Sequence, residues 1–110
     1  NEENKMGETP LFYACWNGNE AIVKYLVEQG ADINKKNRFG ETPLFYACSG
    51  GNEAVEQYLI EQGADIKIES KYGNTLLFSA CSDGNDAFVK YLIERGADPT
   101  KENENGETPL

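Results

Sequence analysis

The sequence predicts an all-α solenoid of stacked helix-turn-helix units with hairpin-like loops, on three observations. The phrase "GETPLFYAC" at residues 7–15 returns unchanged at 40–48 and blurred, as "GNTLLFSAC", at 73–81, and "GETPL" at 106–110 begins it again, each copy 33 residues after the last. Chain breakers recur at fixed points within that period. The apolar letters between them follow helical spacing, and self-similarity at this length marks a stacked array.

The units run over residues 4–36, 37–69 and 70–102, with a partial fourth at 103–110, and the first two agree at most positions. Thr9, Thr42 and Thr75 stand as N-caps, and Pro10 and Pro43 take the first helical position, where a missing N–H costs nothing. Leu11, Ala14 and Cys15 then follow at i, i+3 and i+4, and the small Ala and Cys let a second helix come close.

Gly18-Asn19, Gly51-Asn52 and Gly84-Asn85 break that helix, with each Asn placed to cap a second one reaching Gln29, Gln62 and Arg95. Its buried stripe is read as Ile22, Leu26 and Val27 in the first unit and Phe88, Val89, Leu92 and Ile93 in the third. Gly30, Gly63 and Gly96 follow as left-handed stops before an extended polar stretch. Two helices of about three turns cannot bury their faces alone, so each unit must gain stability from its neighbours.

Glu56 breaks the pattern, since its counterparts Val23 and Val89 are apolar. A lone carboxylate in full burial would cost several kcal/mol, which places Glu56 at the rim of its helix near Lys24 or Lys90, or else in a tolerated half-exposed position.

Composition narrows the function. With 110 residues, 39% of them hydrophobic and 26% charged, the chain has the makeup of one soluble domain. Ten basic against 19 acidic residues give a charge of −9, which repels a phosphate backbone; nucleic acid is excluded as a partner and a basic or neutral protein surface is favoured. No apolar run approaches the roughly 20 residues that span a bilayer, so no membrane partner is expected. The chain opens on Asn and stops as a repeat begins, which reads as a piece of a longer polypeptide.

Cys15, Cys48 and Cys81 share one phase, too far apart across stacked units for disulfides, and are expected as reduced, buried fillers in an intracellular, cytoplasmic protein. With no histidine and no C-x-x-C pair, nucleophile activation and most zinc chemistry fall away. No phosphate-binding glycine loop occurs, and the stretch 83–94 has Ala87 and Phe88 where a calcium loop needs a ligand and a glycine. No catalytic residue, metal or cofactor is expected.

"GETPLFYAC...GNEAIVKYLVEQGADIN" resembles the ankyrin repeat over nearly the whole chain: T-P-L, the glycine before the second helix, the leucine-hydrophobic pair and G-A-D all fall at family positions. Phe12, Phe45 and Phe78 replace the usual histidine, so threonine must cap without that partner, and Leu76 and Pro99 loosen the third unit's match. The resemblance implies a protein-binding scaffold without catalysis, using the concave surface of hairpins and first helices. Carried over by position, that surface comprises Lys5, Met6, Glu8, Tyr13, Trp16 and Asn17; Arg38, Phe39, Glu41, Tyr46, Ser49 and Gly50; and Lys71, Tyr72, Asn74, Ser79, Ser82 and Asp83.

Trp16, Arg38, Phe39 and Tyr72 are the residue types that supply most interface energy, although an aromatic at a hairpin tip can also simply tighten the stack. The alternative function is a structural spacer within a longer solenoid, setting the distance between other domains; the near-identity of units one and two favours it. The apolar Phe88, Val89, Leu92 and Ile93 of the third unit predict end-to-end self-association or fraying of the last helix.

Overall fold

Proline just inside and glycine just beyond set the limits of the first helix in units one and two: α1 (Pro10–Asn17) and α3 (Pro43–Gly50). The structure, a computed structural model, describes residues 3–82 and 84–109. Gly18 and Gly51 turn left-handed, with φ of 71° and 67°, and their N–H groups close the last turn. Asn19, Asn52 and Asn85 then cap α2 (Glu20–Glu28), α4 (Glu53–Glu61) and α6 (Asp86–Glu94), accepting from the N–H groups of Ile22, Val55 and Phe88 at 3.2, 2.9 and 3.2 Å. The first helix of the third unit is α5 (Leu76–Ser82). Among the described residues the architecture is thus all-α, with one isolated antiparallel bridge, Glu69 to Thr75.

Thr9 and Thr42 do not cap as expected. Thr9 and Thr42 hold the N-cap positions in extended backbone, but neither side chain makes a capping bond. The N–H groups of Phe12 and Phe45 are already taken at 3.0 Å by the Thr9 and Thr42 carbonyls, and Pro10 and Pro43 have none to offer. Thr42 Oγ1 is left buried without a hydrogen-bond partner.

First helices stack on first helices, α1 on α3 on α5, with Leu11, Ala14, Cys15, Leu44, Ala47, Cys48, Leu77 and Ala80 in one continuous core. Cys81, expected to be buried like its equivalents, is only half covered. Second helices meet likewise: Lys24 Nζ sits 5.6 Å above the Tyr58 ring, and Phe88 and Tyr91 line a small cavity with Glu56 and Ile60.

Neighbouring letters of a second helix therefore face opposite ways along the stack. The position of Ile22, Val55 and Phe88 looks back to the preceding unit; that of Val23, Glu56 and Val89 looks forward. Val55, Phe88, Val23 and Glu56 are buried, whereas Ile22 is 47% exposed because no helix among the described residues covers that side of α2. This corrects the expected stripe in the first unit, where Val23 is the buried residue and Leu26 and Val27 are half-buried; Ile93 is also exposed, on the forward side of α6.

Glu56 is likewise not at a rim. It is 1% exposed, and Asn85 Nδ2 lies 3.4 Å from each carboxylate oxygen. Lys24 pairs instead with Glu20 at 3.5 Å on its own helix. The forward-looking position decides the burial, and an amide from the next unit supplies the donor.

Each hairpin is shaped by its first residue. Asn37 Oδ1 accepts from the N–H groups of Phe39 and Glu41 at 2.9 and 3.0 Å, and Asn4 and Asn103 repeat the arrangement. Ser70 is too short to do so, and its Oγ is buried without a partner. Main-chain bonds tie tip to tip: Arg38 N–H to Met6 O at 2.8 Å, Lys71 N–H to Phe39 O at 2.5 Å and Glu104 N–H to Tyr72 O at 3.1 Å. Gly40 makes that approach feasible, since a Cβ there would lie 2.9 Å from Lys71 N and its φ is +74°.

Candidate partner-binding groove

The first helices and hairpins together present a face where the units differ most. On it Tyr13, Trp16 and Tyr72 are each about half exposed, at 49%, 53% and 49%. The Tyr46 ring, half-buried, meets both Phe12 and Trp16 edge-on, with centroids 5.1 and 6.2 Å apart. Tyr13, Trp16, Glu41, Tyr46 and Ser49 surround a depression of about 380 Å³.

A second, polar depression of about 650 Å³ adjoins it, sharing Glu41 and Ser49 and adding Tyr72, Asn74, Ser79 and Ser82 among its walls. Its origin is legible in the alignment of units. Ser79 stands where Tyr13 and Tyr46 occur, and Ser49 and Ser82 stand where Trp16 occurs. Removing three aromatic rings without moving the backbone leaves open space.

A hydrogen-bond network fixes the aromatic end of the face. Glu8 Oε1 accepts from Asn4 Nδ2 at 2.9 Å and from the Tyr13 hydroxyl at 2.6 Å, and Glu8 Oε2 accepts from the Tyr46 hydroxyl. Asn37 Nδ2 reaches Tyr46 Oη at 3.1 Å and Glu41 Oε1 at 3.2 Å. The Asn4 amide, followed by the two phenols, holds the Glu8 carboxyl below its ordinary range. The Glu8 carboxylate in turn raises Tyr13, while burial first and Glu8 second push Tyr46 up.

Of the sequence-derived residues, the structure brings together Tyr13, Trp16, Glu41, Tyr46 and Ser49, with Tyr72, Asn74, Ser79 and Ser82 alongside. Phe39 is half-buried and stacks on Tyr72, with centroids 6.5 Å apart, so part of its area tightens the loops. Met6 is half-buried, and Asn17 and Lys71 are exposed outside both depressions. Arg38 and Lys5 instead border a separate cleft of about 190 Å³ with Lys35 and Lys36, where Glu3 pairs with Lys35 at 2.5 Å. Gly50 is a packing residue, since a Cβ there would fall 2.6 Å from the Trp16 carbonyl oxygen. Asp83 lies outside the described residues.

Asn103, Glu107, Thr108 and Pro109 also wall the larger depression and were missed. The signal was present: Glu107 occupies the phase of Glu8 and Glu41 in the fourth copy of the phrase. Among the described residues no cluster of His, Cys, Asp and Glu could hold a metal, and no helix is long and apolar enough to cross a membrane. Burial pushes the Cys15 thiol up to about 12, well away from a reactive thiolate.

Three helix pairs stacked in register, tied by hairpin tips and presenting a variable face over a repeated frame, define a helical repeat solenoid. The family model for ankyrin repeats in three copies matches residues 30–103, and that for a single ankyrin repeat matches residues 6–38. The chain belongs to the ankyrin-repeat family. Ankyrin repeats generally mediate protein–protein interaction and are typically scaffolds without catalysis.

Proposed function

We propose that residues 1–110 form a single ankyrin-repeat domain that holds another protein against the face of hairpins and first helices, without catalysis and inside the cell. The observation that carries this reading is the exposure of Tyr13 and Trp16 around a depression of about 380 Å³ while the repeated framework letters are buried. Exposed aromatics in a fixed setting are the usual anchors of an interface. Tyr13, Trp16, Glu41 and Tyr46 form the centre; Phe39 and Tyr72 extend it, Met6, Asn17 and Lys71 belong to its margins, and Arg38 and Asp83 are included on their sequence positions alone. The three thiols support an intracellular, cytoplasmic setting, and the charge of −9 disfavours nucleic acid.

The test is capture of partners from cell extract by the immobilised domain, beside a variant with Trp16, Phe39 and Tyr72 all changed to alanine. A partner retained by the wild type and lost by the triple variant, at unchanged melting temperature, supports the reading. A partner held equally by both removes it. The near-identity of units one and two favours a spacer instead, and failure to capture any protein at micromolar domain selects that role.

Among the described residues, Ile22 and Tyr25 are also exposed on α2 and Ile93 on α6. Val55 and Phe88, the equivalents of Ile22, are buried, and those of Tyr25 and Ile93 are half-buried, which supports end-to-end association of copies. Sedimentation equilibrium should show concentration-dependent association that Ile22→Lys abolishes; a strictly monomeric wild type contradicts it.

A further inference from the structure

We infer that the groove recognises an arginine-bearing basic segment, seating a guanidinium on the Glu41 carboxylate; this deepens the proposed protein-binding role and rests on it. The argument begins with the difference between Glu8 and Glu41, equivalent residues one unit apart. Glu8 is saturated, receiving the Asn4 amide, its own unit's Tyr13 hydroxyl and the next unit's Tyr46 hydroxyl.

Glu41 receives neither counterpart of those phenols. Each phenol has one proton to donate, and Tyr46 donates its own to Glu8. The next unit's tyrosine is Ser79. Among the described residues the side-chain donor to Glu41 is Asn37 Nδ2, at 3.2 Å. One Tyr-to-Ser difference thus withholds a donor from a carboxylate and hollows out the space beside it.

What would fill that space is specified by charge and shape. Among the described residues neither depression is lined by Lys or Arg, and Glu107 adds a second carboxylate to the larger one. Four of the chain's ten cations, Lys5, Lys35, Lys36 and Arg38, border the separate cleft instead. A cation entering from outside meets uncompensated negative charge, and in a chain of charge −9 the long-range field draws it in.

Aromatic side chains line both depressions that Glu41 borders: Tyr13, Trp16 and Tyr46 the smaller, Tyr72 the larger. A guanidinium can bond a carboxylate through two N–H groups and stack on such rings, whereas an ammonium offers only a point charge. Glu41 is pre-set for this, because its N–H is held by Asn37 Oδ1 at 3.0 Å and its carboxylate by the same residue's amide. The cost of ordering the acceptor is already met by the hairpin.

The experiment uses a positional-scanning decapeptide library with one position fixed in turn as Arg, Lys, citrulline, Leu or Glu, read by Trp16 fluorescence. The Arg sublibraries should bind at least tenfold tighter than those with citrulline, which keeps the shape and loses the charge, with Lys between. Glu41→Gln should erase that preference. Ser79→Tyr, which restores the donor and fills the hollow, should erase it independently at unchanged or higher melting temperature.

Equal binding of Arg and citrulline, an Arg preference surviving both variants, or no binding by any sublibrary overturns the inference. The broader reading is separable by the captured partner: retention by Glu41→Gln with loss in the aromatic triple variant leaves the groove and removes the guanidinium.

Discussion

Asn85 joins two units through one amide: its Oδ1 caps α6 at Phe88 N–H, 3.2 Å away, while its Nδ2 faces both oxygens of the buried Glu56, at 3.4 Å each. Asn52 does the same one unit earlier, capping at Val55 and donating to the Gly18 carbonyl at 3.2 Å. Asn19 caps Ile22 in the same way. Replacing Asn52 or Asn85 by alanine should cost about 2 kcal/mol, against about 1 kcal/mol for a cap alone at Asn19. Denaturant titration of the three variants checks the order; equal costs would mean that the cross-unit bonds contribute nothing.

Glu56 itself separates charge from hydrogen bonding. Glu56→Gln keeps an acceptor for Asn85 in a side chain of the same shape that carries no ionisable group, so the melting temperature should hold or rise. Glu56→Ala opens a hole and strips the Asn85 amide of this acceptor, and should cost about 2 to 3 kcal/mol. Thermal melts of the pair decide it, and equal melting of the two variants would refute the account.

The two faces of a second helix give a contrast at one repeat position. Val55→Ala removes two buried methyl groups between units and should cost about 2 kcal/mol. Ile22→Ala removes more carbon but from a half-exposed site, and should cost under about 1 kcal/mol. A larger loss at Ile22 than at Val55, measured at low concentration, would show that burial along the stack has been misassigned.

Glu8 links the groove to pH. Its carboxyl is held below the usual carboxylate range in the folded chain by Asn4, Tyr13 and Tyr46, so the folded state binds that proton less readily than the unfolded one. The stabilisation is therefore fully present above the usual carboxylate range and is lost as pH falls through the lowered value. Carbon-13 NMR titration of the Glu8 carboxyl should show the depressed midpoint and its rise in Tyr13→Phe and in Tyr46→Phe. No rise in either variant would mean that the phenols do not tune it.

The three thiols should differ in reactivity despite sharing a phase. Cys15 and Cys48 are fully buried, and Cys81 is half covered beside the larger depression. A chromogenic disulfide at pH 8 should titrate one thiol per native chain, at Cys81, and the other two only in denaturant. Rapid reaction of all three would indicate that the stack opens freely.

Much of this architecture could be read from the letters alone, and the misses share a cause. The breakers Gly18 and Gly51 and the caps Asn19, Asn52 and Asn85 act within a few residues of themselves, so their roles were legible. Ile22 and Glu56 depend on what lies beside them in the next or preceding unit. Periodicity along one helix shows that a stripe is apolar, yet it cannot say which neighbour covers which edge of the stripe. Thr9 and Thr42 failed for a local reason, because the N–H that each would bond is consumed by its own carbonyl.

The groove divides in the same way. Phase and residue type were enough to nominate Tyr13, Trp16, Glu41 and Tyr46, while the placement of Arg38 in another cleft turned on how adjacent hairpins sit. The unequal condition of Glu8 and Glu41 could be seen only after each phenol proton had been assigned to its acceptor.

The tips of the loops are fastened to each other by amide and carbonyl alone, from Arg38 to Met6, Lys71 to Phe39 and Glu104 to Tyr72. Glycine at position 40 aside, such a seam is indifferent to the letters written on it. Met6, Phe39 and Tyr72 can be rewritten without unpicking the stitching, so a lineage can change what it greets while inheriting the same cloth.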